Sequence, residues 1–403
     1  MCLKRFSELV FKHYNISNTL EQFGDWEKAF SFLAEKAENE KLVVVLDEFP
    51  YLARANPALP SLLQNLIDGK LKNTELFLIL CGSSMSFMEK EVLSYKSPLY
   101  GRRTGSILVN PFGFYDSEKF FPTYSREDRF KTYSILGGIP QYLETFNPSQ
   151  TVEQNIKDNI LRKGSLLYEE PKFLTLQEFR NPALYNSIIE TVAEGYTRLN
   201  QIASKIGEPK DKTAKYITSL LDLEIVERIQ PVGSQNRTRK SLYRIKDNFF
   251  RFYYYFITKN HSLLEQEMID YVYEQSIEPL LNNFFGQSFE DVCKEYLIRE
   301  NKQMRLPFVF MNIGNWWGNN PIKKQEEEID ILAVNGKKCI IGECKWRNRK
   351  MKIHDFERLL EKSKLLPYDE KFFYLFSKNS FEKQLLSYAS EREDLKLVDF
   401  ESI

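Results

Sequence analysis

Two uninterrupted apolar runs, Leu42-Val-Val-Val-Leu46 and Leu76-Phe-Leu-Ile-Leu-Cys81, stand out in a chain that otherwise mixes apolar and charged positions at helical spacing. Runs of this length without a polar break read as strands buried on both faces. Before the first, Trp26, Phe30, Phe32 and Leu33 fall on one face of a helix. Between the two, Asn56-Pro57-Ala-Leu-Pro60 marks a turn and a helix follows near 61–70. After the second, a helix at about 85–93 leads to a third short run, Ile107-Leu-Val109, that reads as a strand. Apolar strands alternating with helices predict a parallel sheet with helices on both faces. Residues 116–180 read as mostly helical, broken at Ile135-Leu-Gly-Gly-Ile-Pro140.

The pattern then changes. Leu184–Ala193 and Leu199–Lys205 read as helices, Gly207-Glu-Pro209 as a turn, and Lys212–Leu223 as a third helix with Asp211 as its N-cap. Two short strands near 225–230 and 241–245 flank Gly233-Ser-Gln-Asn-Arg-Thr-Arg-Lys240. Three helices followed by a basic hairpin form a winged-helix pattern. An aromatic stretch, Phe249–Phe256, opens a helical connector. From about 284 the order is a helix (288–297), strands near 307–313, 328–334 and 338–344, a helix at 353–365, a strand at 372–376, a helix from 381 and a last strand at 395–399. Asn335-Gly336 between two of these strands is a tight-hairpin signal. The expected fold class is therefore α/β and multidomain. It comprises a parallel-sheet region at 1–180 with a helical lid, a winged helix at 181–247, a connector at 248–283 and an α/β domain at 284–403.

Composition changes this picture little. Fifty-six Lys+Arg balance 56 Asp+Glu, so any nucleic-acid surface must be local. Five scattered cysteines without a C-x-x-C pair, and only three histidines, argue against a Cys/His zinc site and for a reducing compartment. No apolar run approaches 18 residues and the N-terminus lacks a signal-peptide order, so the expectation is a cytoplasmic protein with no membrane partner.

Three groups of residues carry candidate chemistry. The first is Asp47-Glu48, at the end of an apolar strand, the Walker B arrangement. Asp47 would hold Mg²⁺ through water and Glu48 would orient an attacking water. Acidic pairs at strand ends also serve as loop caps. Ser83-Ser84 ends the next strand, where it would sense a phosphate or merely make a tight turn, and Arg102-Arg103 would reach a phosphate or lie on the surface. A nucleotide site of this kind also needs an upstream G-x-x-x-x-G-K-[ST] loop. The first glycine is Gly24, followed by Asp-Trp, so these residues form half of an ATP site.

The second group is basic. From Tyr196 to Lys246 there are eleven basic and five acidic side chains, an excess that favours salt-sensitive DNA contact. Lys212 and Lys215 lie on the third helix, and Arg237, Arg239 and Lys240 lie on the wing. The alternative is a packing module with a solvated hairpin.

The third group is Asp330, Glu343 and Lys345, on two strands joined by the Asn335-Gly336 hairpin. Period-2 geometry puts Glu343 and Lys345 on one face with Cys344 opposite, and a tight hairpin lets Asp330 share that face. Two carboxylates would bind Mg²⁺, and the lysine would activate water or stabilise developing charge. Glu290 on the preceding helix would add a ligand. An exposed charged hairpin is the competing reading. Trp316-Trp317 would pack in the core or stack on bases.

The strings Leu-Asp-Glu-Phe-Pro-Tyr-Leu, Cys-Gly-Ser-Ser-Met-Ser-Phe-Met and Pro-Leu-Tyr-Gly-Arg-Arg-Thr resemble the archaeal-type ATPase family, a P-loop AAA+/STAND-type group, and the likeness spans essentially the whole chain. The resemblance implies a P-loop strand lying between the strands at 76–81 and 107–109, and hence that this chain is a shortened form with weak or no ATP binding. The spacing D-x₁₂-E-x-K resembles the PD-(D/E)XK restriction-endonuclease-like core, although no proline precedes Asp330. Together they imply an ATPase-family protein with a DNA-binding winged helix and a Mg²⁺-dependent nuclease-like domain. A non-catalytic DNA-binding scaffold, or a working ATPase once the P-loop is supplied, are the alternatives. DNA is the expected partner, and a homo-oligomer is left open.

Overall fold

The computed structural model describes every residue except 1, 17–21, 84–86, 180 and 234–240. Among the described residues no helix is long and apolar enough to cross a membrane, and all five cysteines are free thiols. The chain divides into two compact units, Met1–Val109 and Asn110–Ile403.

In the first unit, β1 (Leu42–Leu46) and β2 (Leu76–Leu80) pair in parallel, Leu42 opposite Leu76 and Leu46 opposite Leu80. Helices Trp26–Lys36 and Leu59–Gly69 cover one face, burying Phe30, Leu33, Leu46, Phe49, Leu59 and Leu63 in one cluster. The predicted two-faced cover is not met within this unit. Val43, Val45, Phe77 and Ile79, on the other face, are 61%, 52%, 58% and 37% exposed. The predicted third strand is not one either: Ile107, Leu108 and Val109 join no ladder among the described residues and are 91%, 52% and 87% exposed. An extended apolar segment becomes a strand only when a neighbour takes up its N–H and C=O groups.

In the second unit, helices at 126–136 and 166–178 share one apolar cluster with the aromatic connector, the long helix Glu278–Lys302 and the C-terminal sheet. Helices Pro182–Ala193, Leu199–Ile206 and Lys210–Asp222 precede an antiparallel pair, β3 (Val226–Ile229) and β4 (Leu242–Ile245). Pro209, not Asp211, caps the third helix; Asp211 sits in its first turn, where a carboxylate complements the helix dipole.

The C-terminal sheet is mixed, in the order β5 (Asn312–Asn320), β6 (Gln325–Asn335), β7 (Lys338–Lys345), β8 (Glu370–Ser377), β9 (Leu395–Asp399). The first three strands are antiparallel and the last two run parallel to β7. The hairpin turn falls where Asn335-Gly336 predicts it, with Gly336 at φ 57°. The strand expected near 307–313 lies later. Phe310 instead exchanges two hydrogen bonds with the Asn301 side chain, N–H to Oδ1 at 3.0 Å and Nδ2 to C=O at 3.2 Å. That side chain substitutes for a neighbouring strand, and the ladder begins only at Asn312. Trp317 is buried and Trp316 packs against the sheet core, so both tryptophans are structural.

Candidate acidic site on the C-terminal sheet

The antiparallel ladder of β6 and β7 runs from Asn335↔Lys338 to Ile331↔Gly342. Just beyond it the Asp330 side chain takes over as acceptor: Cys344 N–H donates to Asp330 Oδ2 at 2.8 Å. This holds the carboxylate against β7, beside Glu343 and Lys345, which share a face by strand alternation. Lys345 Nζ lies 2.5 Å from Glu343 Oε1 and 3.8 Å from Asp330 Oδ2. Immediately after it, Trp346 stacks into an aromatic cluster, its ring centroid 4.0 Å from Phe130 and 5.1 Å from Phe400. That anchor fixes where β7 ends. The Asp330, Glu343 and Lys345 side chains keep 16%, 10% and 28% exposure.

Burial, and then neighbouring charge, sets the protonation of the cluster. Burial, then the Glu343 charge, raises Asp330 to about 6. Burial, then the Asp330 charge, raises Glu290 to about 8. Burial alone would lower Lys345, but the charges of Asp330 and Glu343 outweigh it and its pKa is raised. Lys362, from helix Ile353–Ser363, adds a second cation 3.3 Å from Glu343 Oε2. No local pattern marked Lys362, because it arrives through helix packing.

Among the described residues no three His, Cys, Asp or Glu side chains are gathered closely enough to hold a metal ion. Glu290 is therefore not a third direct ligand here; its Oε2 accepts instead from Asn315 Nδ2 at 3.1 Å. Asp330 and Glu343 remain a fitting pair for Mg²⁺, a cation that takes one or two carboxylates and keeps several waters.

Of the residues expected to form a nucleotide half-site, Asp47, Glu48 and Ser83 come together at the ends of β1 and β2. Asp47 Oδ1 accepts from Glu48 N–H at 3.0 Å and from the Cys81 thiol at 3.3 Å. Glu48 adopts a left-handed backbone (φ 51°), and Ser83 Oγ lies 3.4 Å from its Oε2. Arg102 is engaged elsewhere. It forms a bidentate pair with Asp68 (2.8 and 2.6 Å) and donates to the carbonyls of Pro98 and Tyr100. Arg103 is exposed, and Ser84 lies outside the described residues.

The basic surface is smaller than the sequence count. Lys212 pairs with Glu208 at 2.8 Å, Arg198 with Glu326 at 2.9 Å, Lys246 with Glu224 at 2.9 Å, and Arg244 with both Glu227 and Asp291. Counting along the chain misses Asp291 and Glu326, which come from distant segments. Lys210 and Lys215 stay exposed and in no ion pair among the described residues. Arg237, Arg239 and Lys240 lie outside those residues.

Fold and site together define a mixed α/β multidomain protein with a parallel-strand N-terminal unit, a helical region and a five-stranded mixed sheet at the C-terminus. Residues 3–146 match the family described as an ATPase domain predominantly from Archaea. Residues 253–356 match a family of archaeal and bacterial proteins of unknown function. An uncharacterised protein of Methanocaldococcus jannaschii is 37% identical over 385 residues, covering 93% of this chain and 83% of the relative. A second uncharacterised protein of the same organism is 46% identical over 85 residues, covering 20% of this chain and 77% of that relative. The chain belongs to the archaeal ATPase family, in the form that pairs the ATPase domain with this C-terminal domain of unknown function. Among solved structures, a Vibrio cholerae protein matches 89% of this chain and 86% of its own at 11% identity, with a TM-score of 0.24.

Proposed function

We propose that the C-terminal domain is a Mg²⁺-dependent, restriction-endonuclease-like module acting on DNA, joined to a winged helix and to the acidic half of an ATP site. The reading rests on one observation: Lys345 Nζ within 2.5 Å of Glu343 and 3.8 Å of Asp330 on adjoining strands. The order of a long helix, three antiparallel strands, a helix and a parallel strand supports it. Three helices followed by an antiparallel strand pair support the winged helix.

Asp330 and Glu343 would hold the cation, which when bound would supply Lewis-acid activation of water and of a phosphoryl oxygen. Lys345 donates to the phosphate as negative charge builds on it. Lys362 offsets the charge of Glu343, and the exposed Lys210 and Lys215 contact the DNA backbone. The test is nicking of supercoiled plasmid. Mg²⁺-dependent nicking that is lost in Asp330→Ala and Lys345→Ala is expected; equal nicking by wild type and both variants would refute the assignment.

A second reading, a non-catalytic DNA-binding scaffold, is favoured by the two lysines already neutralising Glu343. It predicts salt-sensitive DNA binding without nicking.

A further inference from the structure

The ladder between β5 and β6 slips between Gly314↔Leu332 and Trp316↔Ile329. Two residues of β6, Asp330 and Ile331, therefore stand opposite Asn315 alone. A bulge of this kind re-aims side chains and leaves main-chain groups without ladder partners. Here the orphaned carbonyl of Asp330 accepts from Asn315 Nδ2 at 3.0 Å. The same Nδ2 donates to Glu290 Oε2 at 3.1 Å. The orientation of the amide is fixed by chemistry. Lys294 Nζ can only donate, and it lies 2.9 Å from Asn315 Oδ1, so the NH₂ must face the two acceptors.

Asn315 is itself held from outside the sheet. Val232 N–H donates to its main-chain carbonyl at 3.0 Å. Lys294 is fixed in turn by Asp291 at 3.1 Å, and Asp291 by Arg244 of β4 at 3.0 Å. Asn315 is only 8% exposed, so this amide is an internal joint.

We propose that Asn315 is the positioning residue of the acidic site. It holds Glu290 as an outer carboxylate facing the water shell of the cation carried by Asp330 and Glu343, and it pins the bulge that aims Asp330. Without the amide, Glu290 loses the donor that holds its Oε2 beside the Asp330 carbonyl, and its side chain turns away. The inference rests on the cation reading above, and the experiment separates the two.

Mn²⁺ alone is titrated into the full chain and binding is followed by electron paramagnetic resonance. Saturable binding that disappears in Asp330→Asn establishes the cation site; its absence from the wild type removes the proposed function and this inference with it. Asn315→Ala is expected to weaken Mn²⁺ about tenfold, as loss of an outer-shell partner does. Glu290→Gln should weaken it similarly, and the double variant should be no weaker than the poorer single. That non-additivity is what a merely structural role would not produce. Affinity within about twofold of wild type in Asn315→Ala, or losses that multiply in the double variant, would overturn the assignment. If Asn315→Ala fails to give a cooperative melt, Lys294→Met carries the test, because it leaves Asn315 in place but frees its amide to flip. Several-fold weaker Mn²⁺ binding supports the proposal, and unchanged binding overturns it.

Discussion

Asp330 accepts the main-chain N–H of Cys344 through its side-chain Oδ2 at 2.8 Å, so a carboxylate completes the pairing of β6 with β7 where the ladder stops. The bond holds Asp330 next to Glu343, and it couples the chemistry of the site to the integrity of the sheet.

That coupling predicts a pH dependence. Asp330 and Glu290 are raised to about 6 and about 8. A carboxylate raised on folding contributes stability that is fully present below its unfolded value, roughly 4, and is lost as pH rises through its folded value. Without a divalent cation the melting temperature should therefore fall between about pH 4 and pH 8. Asp330→Asn should flatten part of that decline, leaving the shares of Glu290, raised mainly by its own burial, and of Asp247, another buried carboxylate raised to about 6. Added Mg²⁺ should stabilise the wild type most at the alkaline end. Melting curves across pH, with and without Mg²⁺, check each point; a wild-type curve that rises from pH 5 to pH 8 would contradict the assignment.

Arg244 joins β4 to the long helix by pairing Glu227 at 2.5 Å and Asp291 at 3.0 Å. Arg244→Met strips Asp291 of this cation in a buried setting, and such losses cost about 3–5 kcal/mol. Lys294 keeps one partner on Asp291, so about 2–3 kcal/mol is expected. Urea unfolding monitored by circular dichroism gives the value.

Two lysines on one helix should behave differently toward DNA. Lys212 is already paired with Glu208, whereas Lys215 is exposed and in no ion pair among the described residues. Lys215→Ala should reduce the slope of log affinity against log salt by about 0.9, the contribution of one phosphate contact. Lys212→Ala should change it less. Fluorescence anisotropy with a labelled duplex at several salt concentrations reads both slopes.

Gly82 packs against Pro50 where β2 ends. A Cβ at 82 would lie 2.3 Å from Pro50 Cδ and 2.7 Å from Cγ. Proline cannot rotate away, so Gly82→Ala should destabilise the first unit by about 1–3 kcal/mol and displace Ser83 from Glu48. Differential scanning calorimetry should show the loss.

Much of the C-terminal ribbon was legible in advance. The Asn335-Gly336 turn and two-residue alternation place Glu343 and Lys345 together, because both depend on backbone geometry over a few residues. The helices at 182–222 were legible for the same reason, from their apolar spacing. The pairing of Arg102 with Asp68, 34 positions away, had no local signal. Ile107–Val109 was misread because strand character depends on a neighbour that apolarity alone cannot supply. The strand at 312–320 was displaced because Asn301 satisfies Phe310 from another element. The Trp316-Trp317 pair was the available signal for it, through its preference for pleated, half-buried surfaces.

By itself the amino-acid order determined most of the helices and the acidic ribbon, since these follow from neighbours within a turn or a hairpin. Only the tertiary structure decided that Lys362 reaches Glu343, that Asn315 holds Glu290, and that Asp291 and Glu326 neutralise Arg244 and Arg198. Those pairs lie far apart along the chain, and hydrogen bonds and ion pairs act only at contact distance, so packing alone could bring them together.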